Sequence, residues 1–162
     1  MKKPFISFVG HSGCGKTSII IGLISHLRKK GYKVGAVKHT HHNFSVDYPG
    51  KDSYRFYRAG AQRILIASDR KGVFIEYMNS IDSNFDFDKY FSDVDIVIGE
   101  GFKKKGIPKI EVVRKSVSAD LLCPENDLMA VVSDFKIKGI KNFSFKDLSV
   151  LAEFLEETFL KR

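Results

Sequence analysis

Residues 10 to 17 read Gly10-His11-Ser12-Gly13-Cys14-Gly15-Lys16-Thr17, which fits the pattern G-x-x-x-x-G-K-[ST] without a mismatch. What surrounds this octet makes it the strongest constraint on the fold. The apolar run Phe5-Ile6-Ser7-Phe8-Val9 precedes it, and Ile20, Leu23, Ile24 and Leu27 then recur on one face of a helix. Strand, glycine loop and helix in that order form the geometry that phosphate binding needs. The glycines let backbone N–H groups turn inward without a Cβ clash. The helix N-terminus adds further donors and the positive end of its dipole. The nucleotide-binding residues expected are therefore Gly10, His11, Ser12, Gly13, Cys14, Gly15, Lys16, Thr17 and Ser18. Lys16 is expected to reach the β- and γ-phosphates as the catalytic cation, and the Thr17 hydroxyl to ligate Mg²⁺.

A chain of 162 residues is expected to form one domain over 1–162, large enough to bury a core without staples. Cys14 and Cys123 share no C-x-x-C spacing and imply no disulfide framework. No apolar run approaches the roughly 20 residues of a membrane span. Met1-Lys2-Lys3-Pro4 leads directly into a strand, without the apolar core of a signal peptide. The expectation is a cytoplasmic protein with no membrane partner. The net charge of +8 admits nucleic acid, acidic lipid or a charged small molecule. Arg28-Lys29-Lys30 ends a helix, where cations are structurally favoured. No aromatic-interleaved RNA signature or zinc-finger spacing is present, so phosphate-bearing small molecules are favoured over nucleic acid.

Gly31 is a good terminator for the first helix, and Tyr32–Val37 reads as a second, buried strand. Two strands joined by a helix imply a parallel sheet with a right-handed crossover. Residues 38–53 read as a long functional loop. Asp52 or Ser53 is expected to cap a helix that ends near Gly60. Residues 63–67 and 72–77 read as strands joined by a turn at 68–71, and 79–92 as a loop with a short helix. Strands are also expected at 94–98, 109–113 and 128–132. An amphipathic helix closes the chain, with Ser144 and Asp147 as its capping box and Leu148, Leu151, Leu155 and Phe159 as its stripe. The fold class expected is an α/β, P-loop NTPase-type three-layer fold, with a mainly parallel sheet and some antiparallel strands.

Glu100 follows Ile96-Val97-Ile98-Gly99 at the strand edge where open α/β sheets bind ligands. There it suits a Walker-B carboxylate, catalytic and magnesium-holding. Lys38-His39-Thr40-His41-His42-Asn43 hangs over the same edge. Its three histidines admit a transition-metal reading. No cysteine lies nearby, and substrate or phosphate contacts from Lys38, His39 and His42 account for it better. Asp47 is a candidate second carboxylate for the metal. Asp134, just past a strand, can accept from the N1–H and N2–H₂ donors of guanine, a pair that adenine lacks. The Asn-Lys-x-Asp tetrapeptide of small GTPases is absent.

Taken together, these segments resemble the molybdopterin-guanine dinucleotide biosynthesis protein B family, from about residue 5 to residue 134. The resemblance rests on the octet, on Lys38-His39 with His42, and on Asp47-x-Pro49-Gly50-Lys51-Asp52-Ser53. Ala59-Gly60-Ala61, Glu100-Gly101-Phe102-Lys103 and Pro108-Lys109-Ile110-Glu111-Val112-x-Arg114 complete it. It implies a domain that binds GTP with Mg²⁺, hydrolyses it slowly at most, and forms a homodimer. It further implies help to the guanylyltransferase that joins GMP to molybdopterin. Lys103 and Arg114 would then meet the phosphate of molybdopterin, or of its guanine dinucleotide, or the partner enzyme. Cys14 and Gly99 depart from the family pattern, and Gly99 is expected to loosen the strand end. Two other readings stay open: a metal-insertion GTPase built on His39, His41 and His42, and a small-molecule kinase or ligase.

Overall fold

A computed structural model describes residues 3–40, 44–78, 86–103 and 106–161. Contacts gather the chain into two compact units, residues 1–40 with 86–162, and residues 41–85. The first unit holds β1 (Phe5–Val9), α1 (Lys16–Lys29), β2 (Val34–Lys38), α3 (Phe87–Tyr90) and β5 (Ile96–Glu100). It continues with β6 (Lys109–Val113), β7 (Leu128–Ser133), β8 (Asn142–Phe143) and α4 (Leu148–Leu155). Between these lie α2 (Asp52–Arg58), β3 (Arg63–Ala67) and β4 (Gly72–Glu76), which form the second unit.

The six strands of the first unit run in the order β2-β5-β1-β6-β7-β8, and every pairing in that sheet is parallel. Parallel sheets are buried on both faces, so their strands read as near-continuous apolar runs. On one face Ile6 and Phe8 of β1, Ile98 of β5 and Val112 of β6 meet Leu23 and Leu27 of α1 and Leu151 and Leu155 of α4. The opposite face is equally dry: Ser7, Val97, Lys109, Glu111 and Val131 are all buried. Phe5 stacks there on Phe87 of α3 with ring centroids 4.7 Å apart, and Phe102 meets Phe5 edge-on at 5.3 Å. The α/β class with a mainly parallel sheet and one antiparallel pair is as expected.

Gly99 does not loosen β5. It pairs with Ser7 on one side and Val37 on the other, and the strand runs on to Glu100. A Cβ at Gly99 would lie 2.7 Å from Cζ of Phe5 and 3.0 Å from Phe102. The missing side chain is the room into which these rings pack.

Several local expectations are corrected. β2 is an edge strand paired only with β5, and Ala36 is exposed. β8 was not anticipated, since two residues carry no periodicity. The capping box does not form. Ser144 Oγ accepts from the N–H of Lys146 at 3.0 Å, and Asp147, the residue before α4, makes no side-chain cap. Beyond α4 the helix widens into a π turn over Glu156–Leu160. There the buried Glu156 accepts from Lys30 Nζ at 2.5 Å and from the Tyr32 hydroxyl at 2.9 Å, tying the chain's last helix to the end of α1. The Lys30 ammonium, then the Tyr32 hydroxyl, hold the Glu156 carboxyl below the usual carboxylate range.

In the second unit β3 and β4 form an antiparallel hairpin with Leu65 opposite Phe74 and Ile64 opposite Ile75. The alternation is sharp. Ile64 and Ile75 are buried, while Leu65 is 65% and Phe74 51% exposed. Tyr57 of α2 stacks on Tyr77 at 3.7 Å between centroids.

Candidate functional site

β1 ends at Val9, and the chain crosses to α1 through the octet. Gly13 and Gly15 take left-handed φ of +78° and +101°, which turns the loop back on itself. Cys14 is buried beneath this loop, and Ser12, Gly13, Thr17 and Ser18 are exposed above it. Backbone amides of a loop this shape, followed by a helix N-terminus, form a concave array of donors for an anion. The Lys16 ammonium folds back over the loop. It donates to the Gly10 carbonyl at 3.0 Å and to the His11 carbonyl at 2.7 Å.

The neighbouring strand supplies the acid. β5 pairs with β1 in parallel, so Glu100 at its C-terminal end reaches the start of α1. The Thr17 hydroxyl donates to Glu100 Oε2 at 2.9 Å. Lys38, from the end of β2, places its ammonium 3.5 Å from Glu100 Oε1. Two hard oxygen donors side by side, a hydroxyl and a carboxylate, suit Mg²⁺, and this donor set fits that ion. The His39 N–H donates to the Glu100 carbonyl at 2.8 Å, and the His39 ring lies 5.1 Å from that of Phe102. The β2–β5 pairing thus carries Lys38 and His39 to the same edge as Glu100. Lys103 is exposed two residues beyond Gly101.

The other flank of the loop is aromatic. Arg114 follows β6, the strand on the far side of β1. Its Nε donates to the Cys14 carbonyl at 3.4 Å, and its guanidinium lies 4.2 Å over the ring of Phe145. A shallow surface dimple with no room for a water-sized sphere lies beside it, bordered by His11, Cys14, Val117 and Ser118. Asp134 is less free than its sequence position suggests, because its Oδ1 accepts from the N–H of Lys115 at 2.9 Å. That bond ties the turn after β7 to the turn after β6. Phe145 was missed by sequence reasoning. It is far along the chain from Arg114, and no motif links the two.

Asp47 belongs to the second unit. Its Oδ1 accepts from the N–H of Tyr48 and from the Ser53 hydroxyl, each at 3.0 Å. Its Oδ2 is buried with no hydrogen-bond partner among the described residues. His41 and His42 lie outside the described residues. Among those described, no three His, Cys, Asp or Glu side chains come together in a way that could hold a metal ion. No described helix is long and apolar enough to cross a membrane.

Comparison with known proteins adds to this geometry. The family described as molybdopterin guanine dinucleotide synthesis protein B matches residues 5–134. A molybdopterin-guanine dinucleotide biosynthesis adapter protein of Escherichia coli K12 is 32% identical over 169 aligned residues, covering 98% of this chain and 95% of its own. A Haemophilus influenzae protein of the same description is 31% identical, covering 94% and 88%. The crystal structure of a molybdopterin-guanine biosynthesis protein B superposes with a TM-score of 0.75 at 32% identity, over 95% of this chain and 99% of that one. The structure of Bacillus subtilis MobB, 22% identical, shares the fold with a TM-score of 0.76 over 98% of this chain and 99% of that one.

Proposed function

The chain belongs to the molybdopterin guanine dinucleotide synthesis protein B family, and on that premise we propose that it is a GTP-binding adapter in the attachment of GMP to molybdopterin. The observation that carries the nucleotide part is the meeting of Thr17 and Glu100 at 2.9 Å beside the glycine loop. One flank supplies a loop of amides and the other a carboxylate, and a magnesium-bound triphosphate needs both.

Each residue then has a definite task. The amides from Gly13 to Ser18 surround the β-phosphate. Lys16 leaves the carbonyls of Gly10 and His11 and takes oxygens of the β- and γ-phosphates. Thr17 and Glu100 are the residues that would hold Mg²⁺, which neutralises charge on the phosphate oxygens when bound. Lys38 offsets the Glu100 charge from the side. Turnover is slow at most. Glu100 is engaged by a hydroxyl and an ammonium, which suits binding better than proton abstraction. Exposed Lys103, with Lys38, offers positive charge for the phosphate of molybdopterin or of its guanine dinucleotide, or for the guanylyltransferase, and His39 stands at the same edge.

The β3–β4 hairpin supports a homodimer. A lone two-stranded hairpin is marginal in water, and Leu65 and Phe74 leave an apolar face uncovered in one copy. Titration calorimetry with GTP and ATP, each with magnesium, tests the proposal. A clear preference for GTP is expected, and equal affinity for the two would overturn it. Co-purification with the guanylyltransferase tests the adapter role, and no retained enzyme in the presence of Mg-GTP would remove it.

A further inference from the structure

The two flanks of the glycine loop differ chemically. Thr17, Glu100 and Lys38 on the β5 side are all polar or charged. On the β6 side the Arg114 guanidinium lies 4.2 Å over the centre of the Phe145 ring, and that pair overhangs the loop itself. A Cβ placed on Gly15 would lie 3.4 Å from Arg114 Nη2 and 3.4 Å from Phe145 Cε1. Arg114 is held at two points, at the Cys14 carbonyl through Nε and over the Phe145 ring through its guanidinium carbon. Phe145 is itself partly buried against the core cluster under α1 and α4. The guanidinium is therefore held against a ring that the core holds still. The turn carrying it is fastened a third time, by the bond from the Lys115 N–H to Asp134.

We infer that Arg114, held in place by Phe145, is the platform on which the purine of a bound nucleotide stacks. This rests on the nucleotide-binding reading above and names the residue that receives the nucleoside end. The phosphates occupy the loop, and their metal lies on the Glu100 flank. The remainder of the nucleotide then leaves across the opposite flank, which the turns after β6, β7 and β8 border at the ligand edge of the sheet. A guanidinium plane stacks well on a purine face, and a plane already immobilised loses little freedom in doing so. Arg114 is thereby a nucleoside-binding residue and Phe145 a positioning residue that acts through it. A purely structural clamp would have the same contacts but would not distinguish a nucleotide from a bare polyphosphate.

That distinction is the test. Calorimetry would compare Mg-GTP with magnesium and inorganic triphosphate, for the wild-type chain and for Arg114→Lys and Phe145→Leu. Arg114→Lys keeps the charge and loses the plane, and Phe145→Leu keeps apolar bulk and loses the ring. Each variant is expected to weaken GTP binding by about 10-fold, while triphosphate binding stays within about twofold. Melting temperatures establish that the variants are folded, and Arg114→Lys carries the test if Phe145→Leu is not. GTP affinity unchanged in Arg114→Lys, or GTP and triphosphate weakening together, overturns the platform. A wild-type chain that binds neither ligand overturns the nucleotide reading, and the platform with it.

Discussion

The two units of this chain solve the burial problem in opposite ways. In the larger one Ile6, Phe8, Leu23, Leu27 and Ile96 are completely buried, and both faces of the sheet are dry. In the smaller one only Ile64 and Ile75 are buried among the described residues, and Leu65, Phe74, Phe56 and Tyr48 face outward. The first can hold a phosphate loop in register because a close-packed core does not give way. The second spends its apolar residues on a surface. The contrast teaches that the two tasks proposed here fall on different parts of the sequence: the candidate nucleotide site sits on the part with the packed core, and the proposed dimerisation would fall to the part without one.

The largest expected effect that sharpens this contrast is in the core. Leu23→Ala should cost about 4 kcal/mol in denaturant unfolding, whereas Leu65→Ala should stay within about 0.5 kcal/mol for the isolated subunit. Similar costs at both positions would break the comparison. Next, Lys16→Ala should weaken GTP by about 3 kcal/mol, roughly 100-fold, with an unchanged circular-dichroism spectrum. A collapsed spectrum would place Lys16 in the folding of the large unit instead of in its site. Gly99→Ala should cost about 2 kcal/mol of stability, because its methyl would enter the Phe5 and Phe102 rings. For the small unit, Leu65→Glu with Phe74→Glu should shift the protein from dimer to monomer in light scattering, with Mg-GTP affinity preserved.

The smallest effect is a pH dependence in the large unit. Glu156 is held below its usual range, first by the Lys30 hydrogen bond and then by that of Tyr32. A depressed carboxyl contributes stability above its ordinary pKa and loses it as the pH falls through the depressed value. Lys30 is held above its ordinary value by the same bond, so its contribution persists through neutrality and fades only in strong alkali. Glu156→Gln should therefore melt earlier than the wild type at neutral pH and converge with it in acid. Parallel melting curves at every pH would show that the bond contributes nothing.

Much of this was readable in the chain. The octet is legible because all its parts are within one turn of each other, and β6 because five successive residues of a central parallel strand are buried together. Glu100 is legible because it follows four apolar residues or glycines directly and stands at the last position of β5. What escaped depends on distant partners. The exposed flank of β2 follows from its edge position, which no local pattern encodes. β8 exists only because β7 offers it an open edge. Arg114 and Phe145 meet through the order of strands, not through spacing. Asp134 looked free to read guanine, and only the fold shows the Lys115 amide that already occupies one of its oxygens.

The two carbonyl bonds of Lys16 carry one more consequence. Those bonds use two of the three N–H donors of the ammonium, and the third has only Cys14 Sγ at 3.9 Å. A lone sulfate or orthophosphate that meets this third donor engages few of the loop's amides, whereas a chain of phosphates spans several at once. On the nucleotide reading proposed above, the loop would favour length of charge over the abundant small anions.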